Sequence, residues 1–389
     1  MKNVAIIVQK LYGGGAERTA SNLSIILNGK YNIHLIVFDG SNIKYPYAGN
    51  LHVLDIPHTD GKLKKISNLI KRVREVKKIK KVENIDVSIS LMPGANLVNV
   101  LSKTGDKIIT SIRNQMSKSS SESSIKSQIR FTSKKSDCIV TLSDGVRNDL
   151  INYFGIRGDK IYTVYNPCDG ELLLKNALIH DVSDIEMPQY SISTMGRLLE
   201  QKGIWHLIRA MTEVVKTVPE AKLFVFGEGP LEANLKELSS ELGLSDNVVF
   251  KGFVEAPHSY IRKSKVFVFP SLYEGLGNAL LEAMACGVPC IASDCLSGPR
   301  EIIAPGSKVK ESLPDVEYCE YGVLVSVGDK GHFNSNESLT AAEHQISAAI
   351  IELLTNSDLN KKYVEKSLSR IRDFSPEAIS RAWCEVIES

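Results

Sequence analysis

The sequence predicts an α/β protein made of two doubly wound domains. Short apolar, β-rich runs alternate with segments long enough to be crossover helices, and the rhythm breaks near the middle of the chain and then begins again. A chain of 389 residues is also too long for one ordinary core.

In the first half, the runs Val4–Val8, Ile33–Phe38, Val87–Leu91, Lys107–Ile112 and Cys138–Leu142 read as strands. Each is short and mainly apolar, as strands of a parallel sheet covered on both faces are. In the second half the strand candidates are Tyr190–Met195, Lys222–Phe226, Val248–Phe250, Val266–Phe269, Pro289–Ala292 and Val323–Val325. Helices are expected at Gly203–Val218, Pro230–Leu242, Asn278–Cys286 and Glu343–Thr355, with a terminal helix over Pro376–Ser389. Between the halves, Asn166–Gln189 carries Asn-Pro, Cys-Asp-Gly and Met-Pro, so the linker is placed there. The expected domains are residues 1–168 and 169–375, with the terminal helix packing back on the first. The Ser- and Lys-rich run Ser117–Ser127 reads as a mobile segment.

A net charge of +2 excludes the uniform electrostatic footprint of a nucleic-acid binder. The seven Cys show neither disulfide nor zinc spacing; Cys286 and Cys290 read as small buried residues, and a cytoplasmic setting fits. The first apolar run is too short for a signal peptide, and no stretch approaches the ~20 residues of a membrane span. Any membrane contact is therefore expected to be peripheral.

Four loops stand at strand ends, where ligands bind in open α/β sheets. Gly13-Gly14-Gly15-Ala16-Glu17 follows the first strand and opens a helix, so backbone amides can approach an anion closely. The plainer reading is a tight strand–helix turn, and the run lacks the dinucleotide G-x-G-x-x-G spacing. Gly196-Arg197-Leu198-Leu199-Glu200-Gln201-Lys202-Gly203 places two cations in one strand-to-helix loop, a set that suits a diphosphate. Phe226-Gly227-Glu228-Gly229-Pro230 again permits close backbone approach. The most specific run goes from Pro270 to Ala285, with Glu274 in a Gly-containing loop and Glu282 in the helix after it. Eight helical positions would separate the two acids by ~12 Å. A retaining-glycosidase pair needs about 5 Å. The two carboxylates therefore read as two grips on one elongated ligand, with the amides of Gly277, Asn278, Ala279 and Leu280 facing its phosphates.

The Glu274–Glu282 run resembles the E-x7-E motif of retaining glycosyltransferases of family 4, which adopt the GT-B fold. The Gly13–Glu17 turn, the Gly196–Gly203 loop, Gly227–Pro230 and Gly298-Pro299-Arg300-Glu301 follow in that family's order. The resemblance implies two Rossmann-like domains facing across a cleft, acceptor domain first and sugar-nucleotide donor domain second. It implies that Arg197 and Lys202 hold the donor diphosphate, with Gly227, Gly275 and the helix amides beside them. Glu274 would bind sugar hydroxyls, Glu282 the ribose, and Gly15 would lie near the donor phosphate. Glu274, Arg197 and Lys202 are the catalytic candidates. No metal is implied, because the two cations take its place, and no cofactor beyond the sugar nucleotide. Where many relatives carry a His near the donor sugar, this chain reads Ser111-Ile112-Arg113-Asn114, so Arg113 and Asn114, with Gly14, are the candidate sugar or acceptor contacts. The acceptor implied is a glycan or lipid-linked glycan of bacterial surface-polysaccharide synthesis.

The chemistry follows from the charges. A departing nucleoside diphosphate gathers negative charge, which Arg197, Lys202 and the helix amides stabilise as it develops. No side-chain base is evident, so a donor phosphate oxygen is expected to take the acceptor proton, with attack on the same face after domain closure. A GT-B-fold sugar-nucleotide epimerase would need an acid/base pair beside the sugar. A non-catalytic nucleotide-binding protein would not need both cations and both acids.

Lys62 to Lys81 holds ten Lys or Arg and one Glu. Leu63, Ile66, Leu69, Ile70, Val73, Val76, Ile79 and Val82 recur at helical spacing. The segment reads as a basic amphipathic helix whose apolar stripe is core, and whose cations are either a solvated face or a site for anionic headgroups at the inner face of the membrane.

Overall fold

The computed structural model describes residues 1–57, 59–114, 117, 123–179, 187–307, 313–331 and 334–389. Of the Ser-rich run read as mobile, residues 118–122 lie outside them, and Ser123–Ser127 instead open a helix, Ser123–Lys135. The chain divides into two compact units, Met1–Pro167 with Pro376–Ser389, and Cys168–Ser375.

Unit 1 is a seven-stranded, all-parallel sheet. Its strands are β1 (Asn3–Val8), β2 (Asn32–Val37), β3 (Asn50–Val53), β4 (Val87–Leu91), β5 (Lys107–Ile112), β6 (Cys138–Thr141) and β7 (Ile161–Thr163), in the spatial order β3-β2-β1-β4-β5-β6-β7. β1 and β4 are the central strands, and both are buried almost end to end. One face is covered by α1 (Gly15–Leu27) and the terminal helix Pro376–Glu388, whose Trp383, Val386 and Ile387 join Leu23 and Leu27 against Ile6, Val8 and Ile89. Lys107 Nζ donates to Val386 O at 2.7 Å and Tyr31 Oη to Glu388 at 3.0 Å, tying that helix to the sheet. The other face carries α2 (Lys62–Val82), packed on Ala5, Ile7, Ile36 and Phe38.

Unit 2 repeats the plan with β8 (Ser191–Met195), β9 (Lys222–Phe226), β10 (Val248–Gly252), β11 (Val266–Phe269), β12 (Cys290–Ser293), β13 (Glu317–Tyr318) and β14 (Val323–Val325), ordered β10-β9-β8-β11-β12-β14-β13. Only β13 runs antiparallel. The helix Ile204–Thr217 buries Trp205, Leu207, Ile208 and Met211 against this sheet and the helix Ala341–Thr355.

The eleven strands read from the sequence are all present within one or two residues. β3, β7 and β13 are not among them. Each is a short edge strand with at least half its residues part-exposed, so none shows the continuous apolar run that marks the interior strands. The expected linker also holds a helix, Gly170–Ile179, which packs in unit 2 on the helices His258–Ile261 and Asn278–Ala285.

The basic helix departs from expectation on both faces. Leu69, Val73, Val76 and Ile79 pack on the sheet, but Leu63, Ile66 and Ile70 are 85%, 57% and 46% exposed, and Val82 is exposed as well. The first two turns of α2 overhang the sheet and find no core to enter. Lys80, counted among the surface cations, is fully buried, because it follows Val76 by four positions and Val73 by seven on the inner side, where Asp106 meets it.

Candidate active site

In unit 2 the predicted loops lie against one another. Leu272 N–H donates to Gln201 O at 2.8 Å, and Gln201 Nε2 to Tyr273 O at 2.9 Å. Gly203 sits at φ 58°, and any side chain there would strike the Pro270 carbonyl. The loops after β8 and β11 are thereby locked together. Their charged residues meet: Lys202 Nζ is 2.5 Å from Glu274 Oε1, with side chains 19% and 10% exposed. Lys202 also stands over the Phe269 ring at 5.1 Å. Ser297 Oγ donates to Glu274 O at 2.5 Å, so both the backbone and the carboxylate of Glu274 are held. Arg197, on the same loop as Lys202, is exposed.

The loop after β9 completes this edge. Gly196 N–H donates to Phe226 O at 3.0 Å and Leu198 N–H to Glu228 O at 2.9 Å. Gly227 (φ 127°) has no room for a Cβ beside the Gly196 carbonyl. Its role is to let these two loops touch.

The helix Asn278–Ala285 starts after Gly277 at φ 108°. Leu280 and Leu281 N–H close on Gly277 O at 3.0 and 3.2 Å. The Leu280 amide is thus bonded within the first turn. Gly275 is buried in the turn before them. Glu282 lies on a separate partner from Glu274: its Oε2 is 3.0 Å from His258 Nε2. His258 was not legible as a site residue, because it comes from a one-turn helix 24 residues earlier with no motif around it. Arg300, in the Gly298–Glu301 run, is interior: its guanidinium reaches Asp294 at 2.6 Å and Glu317 at 2.9 Å, and it serves the fold.

In unit 1, Gly14 precedes the first turn of α1 and Gly15 opens it. Arg113, just past β5, joins that turn from below. Its Nη2 donates to Thr19 Oγ1 at 3.0 Å and to Asn166 Oδ1, and Thr19 Oγ1 donates to Gly15 O at 2.8 Å. Arg113 is 8% exposed, and the hydrogen-bond partners of its side chain, Ser111, Thr19 and Asn166, are neutral. Burial lowers the guanidinium to about 10, so it keeps its charge at neutral pH. Asn114 is exposed. Arg113 and Gly15 therefore share one polar cluster, in which Thr19 and Asn166 carry no motif that marks them.

Known proteins match this arrangement along most of the chain. Residues 13–172 match the profile described as Glycosyltransferase Family 4, and residues 176–315 that described as Glycosyl transferases group 1. An uncharacterised glycosyltransferase of Methanocaldococcus jannaschii is 30% identical over 315 residues, covering 78% of this chain and 77% of the relative. The chain belongs to this glycosyltransferase family. It is an enzyme of the GT-B fold, with one Rossmann-like unit matching each profile. Over 391 residues it is 27% identical to the N-acetylgalactosamine-N,N'-diacetylbacillosaminyl-diphospho-undecaprenol 4-alpha-N-acetylgalactosaminyltransferase of Campylobacter jejuni, covering 98% of each chain. Among solved structures, Anabaena HepE in complex with UDP and glucose superimposes with a TM-score of 0.76 at 15% identity, covering all of both chains.

Proposed function

We propose that unit 2 binds a nucleoside-diphosphate sugar and that the enzyme transfers the sugar, with retention of configuration, to a glycan or lipid-linked acceptor handled by unit 1. The Lys202–Glu274 pair carries this reading. It sets a cation and a carboxylate side by side at the carboxyl edge of a parallel sheet, on loops fixed by backbone hydrogen bonds. The cation suits a diphosphate and the carboxylate suits sugar hydroxyls. Glu282 beside His258 is a second grip, suited to a ribose.

The bond between the anomeric carbon and the diphosphate breaks, and its electron pair leaves with the nucleoside diphosphate. Lys202, Arg197 and the amides at the head of the helix Asn278–Ala285 stabilise that charge. The acceptor hydroxyl attacks from the face the diphosphate leaves, and its proton passes to a donor phosphate oxygen. Arg113 holds the Gly15 turn in place. The named activity of the Campylobacter relative supports a diphospho-lipid-linked acceptor in bacterial surface-glycan synthesis.

A thermal-shift and hydrolysis screen across uridine-, guanosine- and adenosine-diphosphate sugars tests this. At least one donor should raise the melting temperature and slowly release its nucleoside diphosphate. If none does either, the reading fails.

Contact with an anionic membrane through α2 also belongs to this proposal. Among the described residues no helix is long and apolar enough to cross a membrane. Leu63, Ile66 and Ile70 stand out from the helix at i, i+3 and i+7, flanked by exposed Lys62, Lys64, Lys65 and Lys71. That pairing suits insertion among anionic headgroups. The chain should cosediment with vesicles containing phosphatidylglycerol and not with pure phosphatidylcholine. Leu63→Ser with Ile66→Ser should abolish the binding, and unchanged binding would refute the role of this face.

A further inference from the structure

One cluster of metal-ligating side chains lies apart from the loops described above. His34 in β2, His52 in β3 and Glu83, which closes α2, bring one ligand atom each to within 4.8 Å of one another. His34 Nδ1 is 3.2 Å from His52 Nε2 and 3.8 Å from Glu83 Oε2. The two rings are stacked, 19° from parallel. His34 is buried, while His52 and Glu83 are half-buried.

We propose that this cluster is a site for a divalent transition metal of the zinc class, held by His34 Nδ1, His52 Nε2 and one Glu83 oxygen, with water in the fourth position. With metal–nitrogen bonds of 2.0–2.1 Å, two nitrogens at the corners of a tetrahedron stand ~3.4 Å apart. The observed 3.2 Å is nearly that separation. The Glu83 oxygen, 3.8 Å from His34 Nδ1, must close toward both nitrogens, and its side chain, 33% exposed, has room to do so. A plain hydrogen bond between the two rings also accounts for 3.2 Å. It leaves the Glu83 carboxylate turned toward the same His34 nitrogen, which has a single proton or lone pair to offer. One metal ion between the three atoms serves them all. Two imidazoles with one carboxylate favour zinc, cobalt or nickel over magnesium and calcium, which take oxygen shells.

The fold builds the site deliberately. In the β2–β3 register, His34 faces Asn50, so His52 lies two positions along on the same side of the sheet. Asn3 Nδ2 donates to Glu83 O at 2.9 Å and so fixes the end of α2 over the start of β1. The ligands come from three separate elements and converge only in the folded chain. Glu83 stands at the amino end of β1, and His34 and His52 lie within β2 and β3, away from the Gly13–Gly15 turn past the carboxyl end of β1. The metal therefore ties α2 to the edge strands and takes no part in sugar transfer.

The full chain, stripped with chelator, is titrated with Co2+ and Zn2+. One Co2+ per chain should give the visible d–d bands of a four-coordinate ion, Zn2+ should displace it, and Zn2+ should raise the melting temperature where Mg2+ does not. His52→Ala should lose the bands and the shift while keeping its glycosyl-transfer rate. Glu83→Gln, at a part-exposed helix end, gives the same reading should His52→Ala fail to fold: its Co2+ affinity should fall. Bands absent from the wild type, bands that persist in His52→Ala or undiminished affinity in Glu83→Gln, or an equal shift with Mg2+, would each overturn the assignment.

Discussion

Lys202→Met should lower kcat/KM by roughly 100- to 1000-fold, the usual cost of removing one preorganised donor from a developing anion. Lys202 has two duties that this single change does not separate. It neutralises Glu274 at 2.5 Å, and in the proposed reaction it faces the departing diphosphate. A double-mutant cycle with Glu274→Gln separates them. If Lys202 only keeps Glu274 comfortable, neutralising Glu274 makes Lys202 dispensable, and the double variant recovers much of the activity. If Lys202 stabilises the leaving group, the double variant stays at least as impaired as Lys202→Met alone. The second outcome is expected. The Lys202 stem lies against Gly196, and Met keeps an unbranched chain there while removing the ammonium over Phe269, so the melting temperature should move little. Steady-state kinetics on the donor identified by the nucleotide screen, with circular dichroism as the control for folding, reads the result. Unchanged kcat/KM would remove Lys202 from the site.

The sequence makes some of this legible and hides the rest for a physical reason. Interior strands such as β1, β4 and β11 announce themselves because both faces are covered and their residues are mostly apolar, with only small Ser at the polar positions of β4. β3 and β13 cover only an edge, so their composition carries no signal. The loops at Gly196–Gly203 and Pro270–Gly277 are legible because close backbone approach demands glycine at fixed spacing. Pairs made through space are not. The Glu282–His258 contact, the Arg113–Thr19–Asn166 cluster and the Arg300 network join residues that topology alone brings together. The amphipathic pattern of α2 fails at its first two turns for a related reason. Periodicity shows which residues share a side of a helix, but not how far the sheet beneath it extends.

Lys80 is the sharpest instance, and it leads to the largest expected effect on stability. Its Nζ lies 2.8 Å from Asp106 Oδ2 and 2.7 Å from Asn99 Oδ1, and both charged side chains are fully buried. Ser88 Oγ donates to the same carboxylate at 2.5 Å, so the cluster joins α2, β4 and the turn before β5. Burial lowers the ammonium to about 8 against the pull of Asp106. Even paired, the cation is thus less comfortable in the fold than in water. Asp106→Ala leaves it buried without a counter-charge and should cost about 3–5 kcal/mol. For a unit of this size that is a fall of roughly 10 °C in the melting transition. The unfolded lysine keeps its ordinary value of 10.5, so between pH 8 and 10.5 the unfolded chain binds the proton that the folded chain has shed. Stability from this group therefore rises with pH across that window. In Asp106→Ala the loss of the carboxylate lowers Lys80 further, and the rise should begin below pH 8. Lys80→Met combined with Asp106→Leu removes both charges and should recover most of the lost stability, because apolar packing replaces a pair that burial has already penalised. Urea unfolding of the single and double variants at pH 7 and pH 9 reads all three effects. A double variant as unstable as Asp106→Ala would mean that the hydrogen bonds to Asn99 and Ser88, and not the charge balance, hold this corner of the sheet.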